Sequence, residues 1–410
     1  MTWSVAELLH DTDGLLAADG GRLLPAAATA GAQVRAIADQ LTLLPDLERP
    51  RALVIAGSGV GAEAAMLRAL AGPQLAAPIV AVDCIPSWVG SLDTVVVLAD
   101  QVHDMTAAAA ADTAVRRGAT VIVRSAETGP VAAAGGSGAV VLPAPIAVPE
   151  AIAGQARLAL LVSLAHRSRL LPAPDLAAWA DALDAVALAC HPSAEEFVNP
   201  AVTLAEYLVG GSALLIGADS IGDVLAELVA QSLAQLAGRP AGVLTAQAAL
   251  SSPAVLRRAA AAKDDLFADP LDDAPPDTAG VFITLEPDGQ VVRALTEALP
   301  SAPVVAPASK RPGSSVVAAA EVLLRCTFTA VYLGIAAGQF APLDNPDGLG
   351  RTGTALGEVR VDEGGTFVPR DPDQQQLARR NADDGVAPSL LELQEPDPDG
   401  TDHRAGPGAA

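Results

Sequence analysis

The chain has 410 residues, enough for two domains with their own apolar cores, and 48 acidic against 25 basic residues give it a formal charge of −23. This balance argues against nucleic acids and anionic membrane surfaces as partners, because both require clustered Lys and Arg. Apolar residues make up 51% of the chain but aromatic residues only 3%, which favours strands alternating with Ala-rich helices over an all-β protein.

Residues 1–44 are predicted to be helical. Five short β-branched runs follow, separated by helical patterns, at 51–56, 78–82, 94–99, 120–123 and 139–142. The intervening helices are predicted over 62–70 and 105–117. Such an alternation predicts a parallel sheet with helices on both faces, so residues 45–150 form a doubly wound α/β domain.

The same order then repeats more weakly. Residues 151–198 are predicted to form a helical connection, and residues 199–350 a second doubly wound domain. Its strands are predicted at 213–217, 241–245, 281–284 and 303–306, and its main helices at 221–237 and 313–338. Asp, Pro, Gly and Gln dominate residues 351–410, which have too few large apolar residues to offset the entropy of ordering. An acidic, disordered C-terminal tail is therefore predicted.

Two long apolar segments, residues 151–171 and 313–338, raise the question of a membrane span. Both contain charged residues, among them Arg157 in the first and Glu321 and Arg325 in the second. Charges are costly inside a bilayer, so core helices are the better interpretation.

The cysteines and the amino terminus bear on the compartment. Three cysteines, far apart in the chain, form no CxxC pair, so reduced thiols and no structural metal are expected: Cys84, Cys190 and Cys326. No basic region followed by an apolar stretch opens the chain. A cytoplasmic protein is expected.

A glycine-rich turn follows the first predicted strand. Gly57, Ser58, Gly59 and Gly61 let the backbone approach a ligand, and the following helix offers free N–H groups to an anion. With Asp83 after the next strand, the turn also fits the fingerprint of a nicotinamide-dinucleotide site. An empty structural turn is the alternative interpretation.

The turn after the third predicted strand holds His103 between Asp100 and Asp104. It lies at the carboxyl end of a strand, where open α/β sheets place ligands. The alternative is that Asp100 or Asp104 only caps the next helix. Glu63 and Glu150 are further acid–base candidates, but no spacing in the sequence brings them together.

Taken together, these segments resemble the bifunctional phosphoglucose/phosphomannose isomerases, which contain two sugar-isomerase (SIS) domains. The family motif G-S-A-I-G-G-D resembles residues 57–63, and D-Y-x-x-P-x-W-V resembles residues 83–89. The helix over 324–338 is similar to the family's terminal helix. The resemblance covers about residues 45–350 and implies two SIS-like domains, a homodimer, a small-molecule sugar or sugar derivative as ligand, and no cofactor.

The sequence departs from the family where the resemblance implies chemistry. The hydroxyl-rich phosphate cradle S-Y-S-G-N-T aligns with residues 100–105, where every hydroxyl is missing and Asp100 stands first. The Q-P-R arginine falls on Glu150, and the catalytic glutamate falls on Gln235, which cannot act as a base. No histidine lies near residues 246–252, where the family has one, and the late lysine has no counterpart.

These departures favour a catalytically degenerate SIS protein with a binding or regulatory role. Its expected ligand-binding residues are Gly57, Ser58, Gly61, Asp100, His103 and Glu150, with Gln235 at the family's base position. Asp100 and Glu150 suit a cationic or hydroxyl-rich ligand. The alternatives are an active aldose–ketose isomerase with its residues aligned differently, and a nicotinamide-dependent enzyme that uses the Gly57 turn.

Overall fold

The computed structural model describes residues 8–44, 46–99, 101, 103–194, 199–264, 277–308 and 314–340, all within one compact unit, Met1–Leu349. The predicted acidic tail, 351–410, and the predicted site residue Asp100 lie outside the described residues.

The first sheet contains the five strands that the sequence predicts. They are β1 Leu53–Ala56, β2 Ile79–Val82, β3 Thr94–Leu98, β4 Thr120–Arg124 and β5 Ala139–Leu142. All neighbours are parallel, in the order β2-β1-β3-β4-β5. Within β1, Leu53 and Ile55 face one apolar core while Val54 and Ala56 face another. The strand is therefore buried on both faces, which explains its continuous run of apolar residues.

Helices precede and flank this sheet. They are α1 Thr12–Ala18, α2 Leu23–Ala28, α3 Ala30–Gln40, α4 Gly61–Ala71, α5 Met105–Arg116 and α6 Pro130–Gly135. We call β1–β5 with α4–α6 the first lobe. Two connecting helices follow it, α7 Gly154–Arg167 and α8 Leu176–Ala189. A short 3-10 turn, Glu150–Ile152, comes directly before α7.

The second sheet has four parallel strands in the order β7-β6-β8-β9, with α9 Pro200–Val209 leading into it. The strands are β6 Gly211–Gly217, β7 Gly242–Thr245, β8 Asp277–Ile283 and β9 Val304–Val305. The helices are α10 Ser220–Ala237, α11 Ala246–Leu250, α12 Pro253–Asp264, α13 Gln290–Ala298 and α14 Ser315–Ala336. We call β6–β9 with α10–α13 the second lobe. Strand β8 begins earlier than predicted, because its first residues pair with Gly211–Leu214 although they are small or polar.

Helix α14 is the core helix that joins these parts. It packs against α8, α9 and α10, and it is long and apolar enough to span a membrane by length and composition alone. However, 83% of its most apolar window is buried inside the protein. Its charged residues contact the segment that follows β9: Glu321 Oε2 accepts from the Ala308 N–H at 3.2 Å, and Arg325 donates to the Ala306 carbonyl. The prediction of a core helix is thus confirmed.

Helices α10 and α14 approach each other closely at Gly334. A Cβ added there would overlap the Leu236 carbonyl oxygen and press on the Phe340 ring. A carbonyl at the end of a helix cannot move aside as a side chain can. Only glycine fits between these two helices at their present separation.

We predict that Gly334→Ala lowers the free energy of unfolding by about 3 kcal/mol, since added volume in a packed core displaces backbone. Gly210→Ala is the matched control, because a Cβ there meets nothing within 4 Å and its φ is −81°. The control should be neutral within about 0.5 kcal/mol. Urea denaturation compares the two, and equal effects would contradict the close approach.

Candidate functional site

A cavity of about 280 Å³ lies where the turn after β1 meets α7, α10 and α14. Its lining combines apolar side chains with hydroxyls, amides and charged groups. The lining residues are Ser58, Gly59, Glu63, Glu150, Ala151, Ile152, Gly154, Gln155, Arg157, Leu158, Leu228, Gln231, Ser232, Gln235, Leu323, Leu324 and Thr327. The cavity lies at the carboxyl end of β1, beside the point where the strand order reverses, which is where open α/β sheets bind ligands.

The glycine turn forms one wall. Gly57 is buried, its N–H donates to the Val82 carbonyl at 3.2 Å, and its φ is +149°. A Cβ on Gly57 would lie 2.5 Å from the Leu98 carbonyl oxygen, so glycine is required for the turn to pass β3. Ser58 and Gly59 then face the cavity, and α4 begins at Gly61 with no side-chain cap on its first turn.

A buried ion pair lies beside this turn. Glu63, in the first turn of α4, is only 4% exposed, and its Oε1 accepts from Arg157 Nη2 on α7. The Arg157 side chain is 16% exposed. The pair connects the first lobe to the connecting helix across the cavity wall. Both charges are largely removed from water, so the pairing offsets part of the cost of burying them.

We predict that Glu63→Ala lowers the free energy of unfolding by about 3 kcal/mol, because it leaves a guanidinium buried without its carboxylate. Asp112→Ala is the matched control: Asp112 pairs with Arg116 on the surface of α5, where its side chain is 43% exposed. The control should cost less than about 0.5 kcal/mol. Chemical denaturation measures both, and a Glu63 variant as stable as the control would argue against the pair.

Gln155 forms the part of the wall next to α14. It is 3% exposed, and its Nε2 donates to the Ala320 carbonyl at 3.1 Å. On α14 itself, the Thr327 hydroxyl donates to the Leu323 carbonyl at 2.9 Å. Both side chains donate in these bonds, so Gln155 Oε1 and the lone pairs of the Thr327 hydroxyl can still accept from other donors.

Helix α10 contributes one face from the second lobe. Leu228, Gln231, Ser232 and Gln235 follow the spacing of residues that share a helix face. The Ser232 hydroxyl donates to the Leu228 carbonyl at 3.0 Å. Gln231 and Gln235 are exposed at the cavity mouth. Apart from Leu228, the side chains of this face are neutral hydrogen-bonding groups.

The structure brings together three of the residues expected at the ligand site, and with them Glu63, the other acid–base candidate. Ser58, Glu150 and Gln235 line the same cavity, although 92 and 85 positions separate them in turn along the chain (150 − 58 and 235 − 150). Gly57 and Gly61 frame the turn. Their roles in ligand binding stay predictions.

The turn before α5 is different. His103 is exposed and is not among the cavity-lining residues of the described chain. Asp104 is the N-cap of α5, and its carboxylate accepts from the Ala107 N–H at 2.9 Å. The capping interpretation therefore holds for Asp104, whereas Asp100 lies outside the described residues.

The lining also includes charged and amide side chains that were not among the expected ligand-binding residues, notably Glu63, Gln155 and Arg157. The sequence analysis names Glu63 only as an acid–base candidate without a partner in the local sequence, and Arg157 only as a charge inside an apolar segment. The ion pair joins positions far apart in the chain, and no local spacing signals it. The available signal for the pair was an acid in the first turn of one predicted helix together with an arginine inside another, apolar helix.

In the second lobe, the turn between β6 and α10 corresponds to the glycine turn after β1, and a side chain of the protein occupies it. Asp219 caps α10, and its Oδ1 accepts from the N–H groups of Ile221 at 3.0 Å and Gly222 at 2.7 Å. Its Oδ2 accepts from the Thr284 hydroxyl at 2.7 Å and the Leu285 N–H at 2.8 Å. A carboxylate therefore occupies the place at this helix end where an anionic ligand would bind.

Asp223 lies next to this cap and titrates abnormally. Burial, with the nearby charges of Asp219 and Glu227, raises the pKa of Asp223 from 3.8 to about 6. The folded chain therefore holds this proton more tightly than the unfolded chain does. The resulting stabilisation is present at acid pH and is lost as the pH rises from about 4 to about 6.

We predict that Asp223→Asn stabilises the protein near neutral pH by about 1 kcal/mol, a value reduced from the full shift because the group is partly solvated. The variant should also flatten the dependence of unfolding free energy on pH between about 4 and 6. Urea denaturation across this range tests it. Asp39→Asn, an exposed carboxylate on α3, is the control and should leave the profile unchanged.

Several solved structures share this fold. A Bacillus subtilis protein assigned as a phosphosugar isomerase is 14% identical, with a TM-score of 0.52 over 77% of this chain and 97% of its own. A Clostridium difficile 630 protein with the same assignment is 10% identical, with a TM-score of 0.53 over 87% of this chain and 97% of its own. The C-terminal domain of glucosamine-fructose-6-phosphate aminotransferase from Francisella tularensis is 10% identical, with a TM-score of 0.52 over 79% of this chain and 98% of its own.

No protein-family model matches the sequence, and no curated protein matches it. The structural likeness thus shows the fold alone: an α/β protein of the phosphosugar isomerase, or SIS, type. The first sheet has the strand order 2-1-3-4-5. Dinucleotide-binding Rossmann folds have the order 3-2-1-4-5-6, so the topology disfavours the nicotinamide alternative.

Proposed function

We propose that this protein binds a sugar or sugar derivative in the cavity beside the Gly57 turn and has weak or no isomerase activity. The observation that carries the proposal is that Ser58, Glu150 and Gln235 line one cavity. By the resemblance, these positions correspond to a phosphate-loop serine, an arginine and a catalytic glutamate. The location of a sugar-isomerase site is retained, while the side chains that carry its chemistry have changed.

The charge of the lining supports a binding role. Enediol chemistry requires a base near the sugar carbon and cations near its oxygens. The base position holds Gln235, which has no titratable group. Among the described lining residues, Arg157 is the cation, and its guanidinium is engaged by Glu63.

We also propose that the protein is a cytoplasmic homodimer without a cofactor, acting in sugar-phosphate metabolism and binding neither nucleic acid nor membranes. The thiols fit a reducing compartment, because Cys84, Cys190 and Cys326 are all free and Cys84 is exposed. Analytical ultracentrifugation tests the dimer.

The function is tested by coupled assays for conversion of fructose 6-phosphate to glucose 6-phosphate and to mannose 6-phosphate. We expect no saturable turnover from folded protein. Calorimetry with a panel of monosaccharides should detect binding that Ser58→Ala weakens about fivefold through loss of one hydrogen bond. Ser91→Ala is the matched control, since Ser91 is exposed in the turn before β3, at the opposite end of the strand.

Turnover at ordinary enzyme rates that is lost on Gln235→Ala would overturn the proposal and establish an active aldose–ketose isomerase. Gln235→Glu is informative in the same assay, because it restores a carboxylate at the family's base position. In the absence of the other family residues, this variant should remain inactive.

A further inference from the structure

We propose that the ligand is an unphosphorylated, donor-rich sugar, and that an amino sugar binds more tightly than its hydroxyl analogue. This inference rests on the proposed function and specifies the substrate class of the same cavity. It begins from two buried oxygens in the cavity wall. Glu63 Oε2 and Gln155 Oε1 are buried and have no hydrogen-bond partner among the described residues.

Neighbouring groups fix the orientation of both side chains. The Gln155 amide must point its nitrogen at Ala320, because that partner is a carbonyl oxygen that can only accept, so its oxygen is the unsatisfied end. Glu63 uses Oε1 for the Arg157 guanidinium, which leaves Oε2. Both residues are more than nine-tenths buried, and both line the cavity.

Both oxygens are acceptors, so they need a ligand that donates hydrogen bonds. The buried Arg157 Nε in the same lining is a donor, and a hydroxyl group can serve both kinds of atom. A buried acceptor without a partner costs about 1–3 kcal/mol, and a donor from the ligand recovers part of that. Hydroxyl and ammonium groups donate. The phosphate dianion of a sugar phosphate has no hydrogen to donate, so that group itself can satisfy neither oxygen.

The charges in the cavity point the same way. Its lining carries two carboxylates, Glu63 and Glu150, and one guanidinium, Arg157, which is already bound to Glu63. The described lining therefore carries one net negative charge, which repels a phosphate and attracts an ammonium group. The first turn of α4 still offers N–H donors, and sugar hydroxyl oxygens can accept from them.

The size of the cavity favours a single sugar ring. Small-molecule sites usually measure about 300–1,000 Å³, and this cavity, at about 280 Å³, lies just below that range. A dinucleotide or an oligosaccharide would extend well beyond the mouth. The α10 face adds the Gln231 and Gln235 amides, which both donate and accept and so suit hydroxyl groups.

Calorimetry on the full chain with glucosamine, glucose, glucosamine 6-phosphate and glucose 6-phosphate tests the inference near neutral pH. We expect glucosamine to bind about tenfold more tightly than glucose, and each phosphorylated sugar to bind at least about tenfold more weakly than its parent. Glu150→Gln should remove the preference for the amine, and Gln155→Met should weaken the binding of both unphosphorylated sugars about tenfold. Asp112→Asn, on the exposed side of α5, is the control and should change neither.

Glu150 lies at the exposed mouth of the cavity, so its variant is expected to fold normally even if Gln155→Met does not. Tighter binding of the phosphorylated sugars would overturn the inference and leave the proposed carbohydrate-binding function standing. Binding of none of the four sugars by folded protein would overturn both. A preference for glucosamine that persists in Glu150→Gln would also overturn the role assigned to this carboxylate.

Discussion

Helix α14 buries side chains around its whole circumference, so other elements have to cover it on every side. Helices α8, α9 and α10 pack against it, with α1 and α2, and α10 approaches so closely that only glycine fits at position 334. One apolar core runs from the inner face of the first sheet, through α7 and α14, to the inner face of the second. The cavity lies along this continuous core, which is why its wall draws residues from both lobes.

Most of the fold could be read from the sequence because it depends on local patterns. Runs such as Leu53–Ala56 and Thr94–Leu98 are apolar at every position, since strands in a parallel sheet are buried on both faces. The start of β8 was missed, because Asp277–Gly280 are small or polar and are held in the sheet by pairing with β6. Pairing between distant segments leaves no local signature.

The site was only partly accessible to the same reasoning. Ser58, Glu150 and Gln235 could be singled out because each aligns with a site position in the motifs of the family that the sequence resembles. The Glu63–Arg157 pair and the free oxygen of Gln155 depend on how α4, α7 and α14 pack, and no local spacing records that packing. The described lining residues include neither histidine nor lysine. The chemistry of the lining therefore becomes visible only once the helices are assembled.

The two lobes differ in how they treat the helix that follows their first strand. Helix α4 begins without a side-chain cap, whereas Asp219 binds the start of α10 and also reaches Thr284 and Leu285. A tethered carboxylate competes with free anions at an effective concentration that dissolved metabolites rarely match. Although the chain carries the same architecture twice, it is therefore expected to bind one ligand per chain. Such a stoichiometry would report one open lobe and one lobe whose helix end is permanently occupied by Asp219.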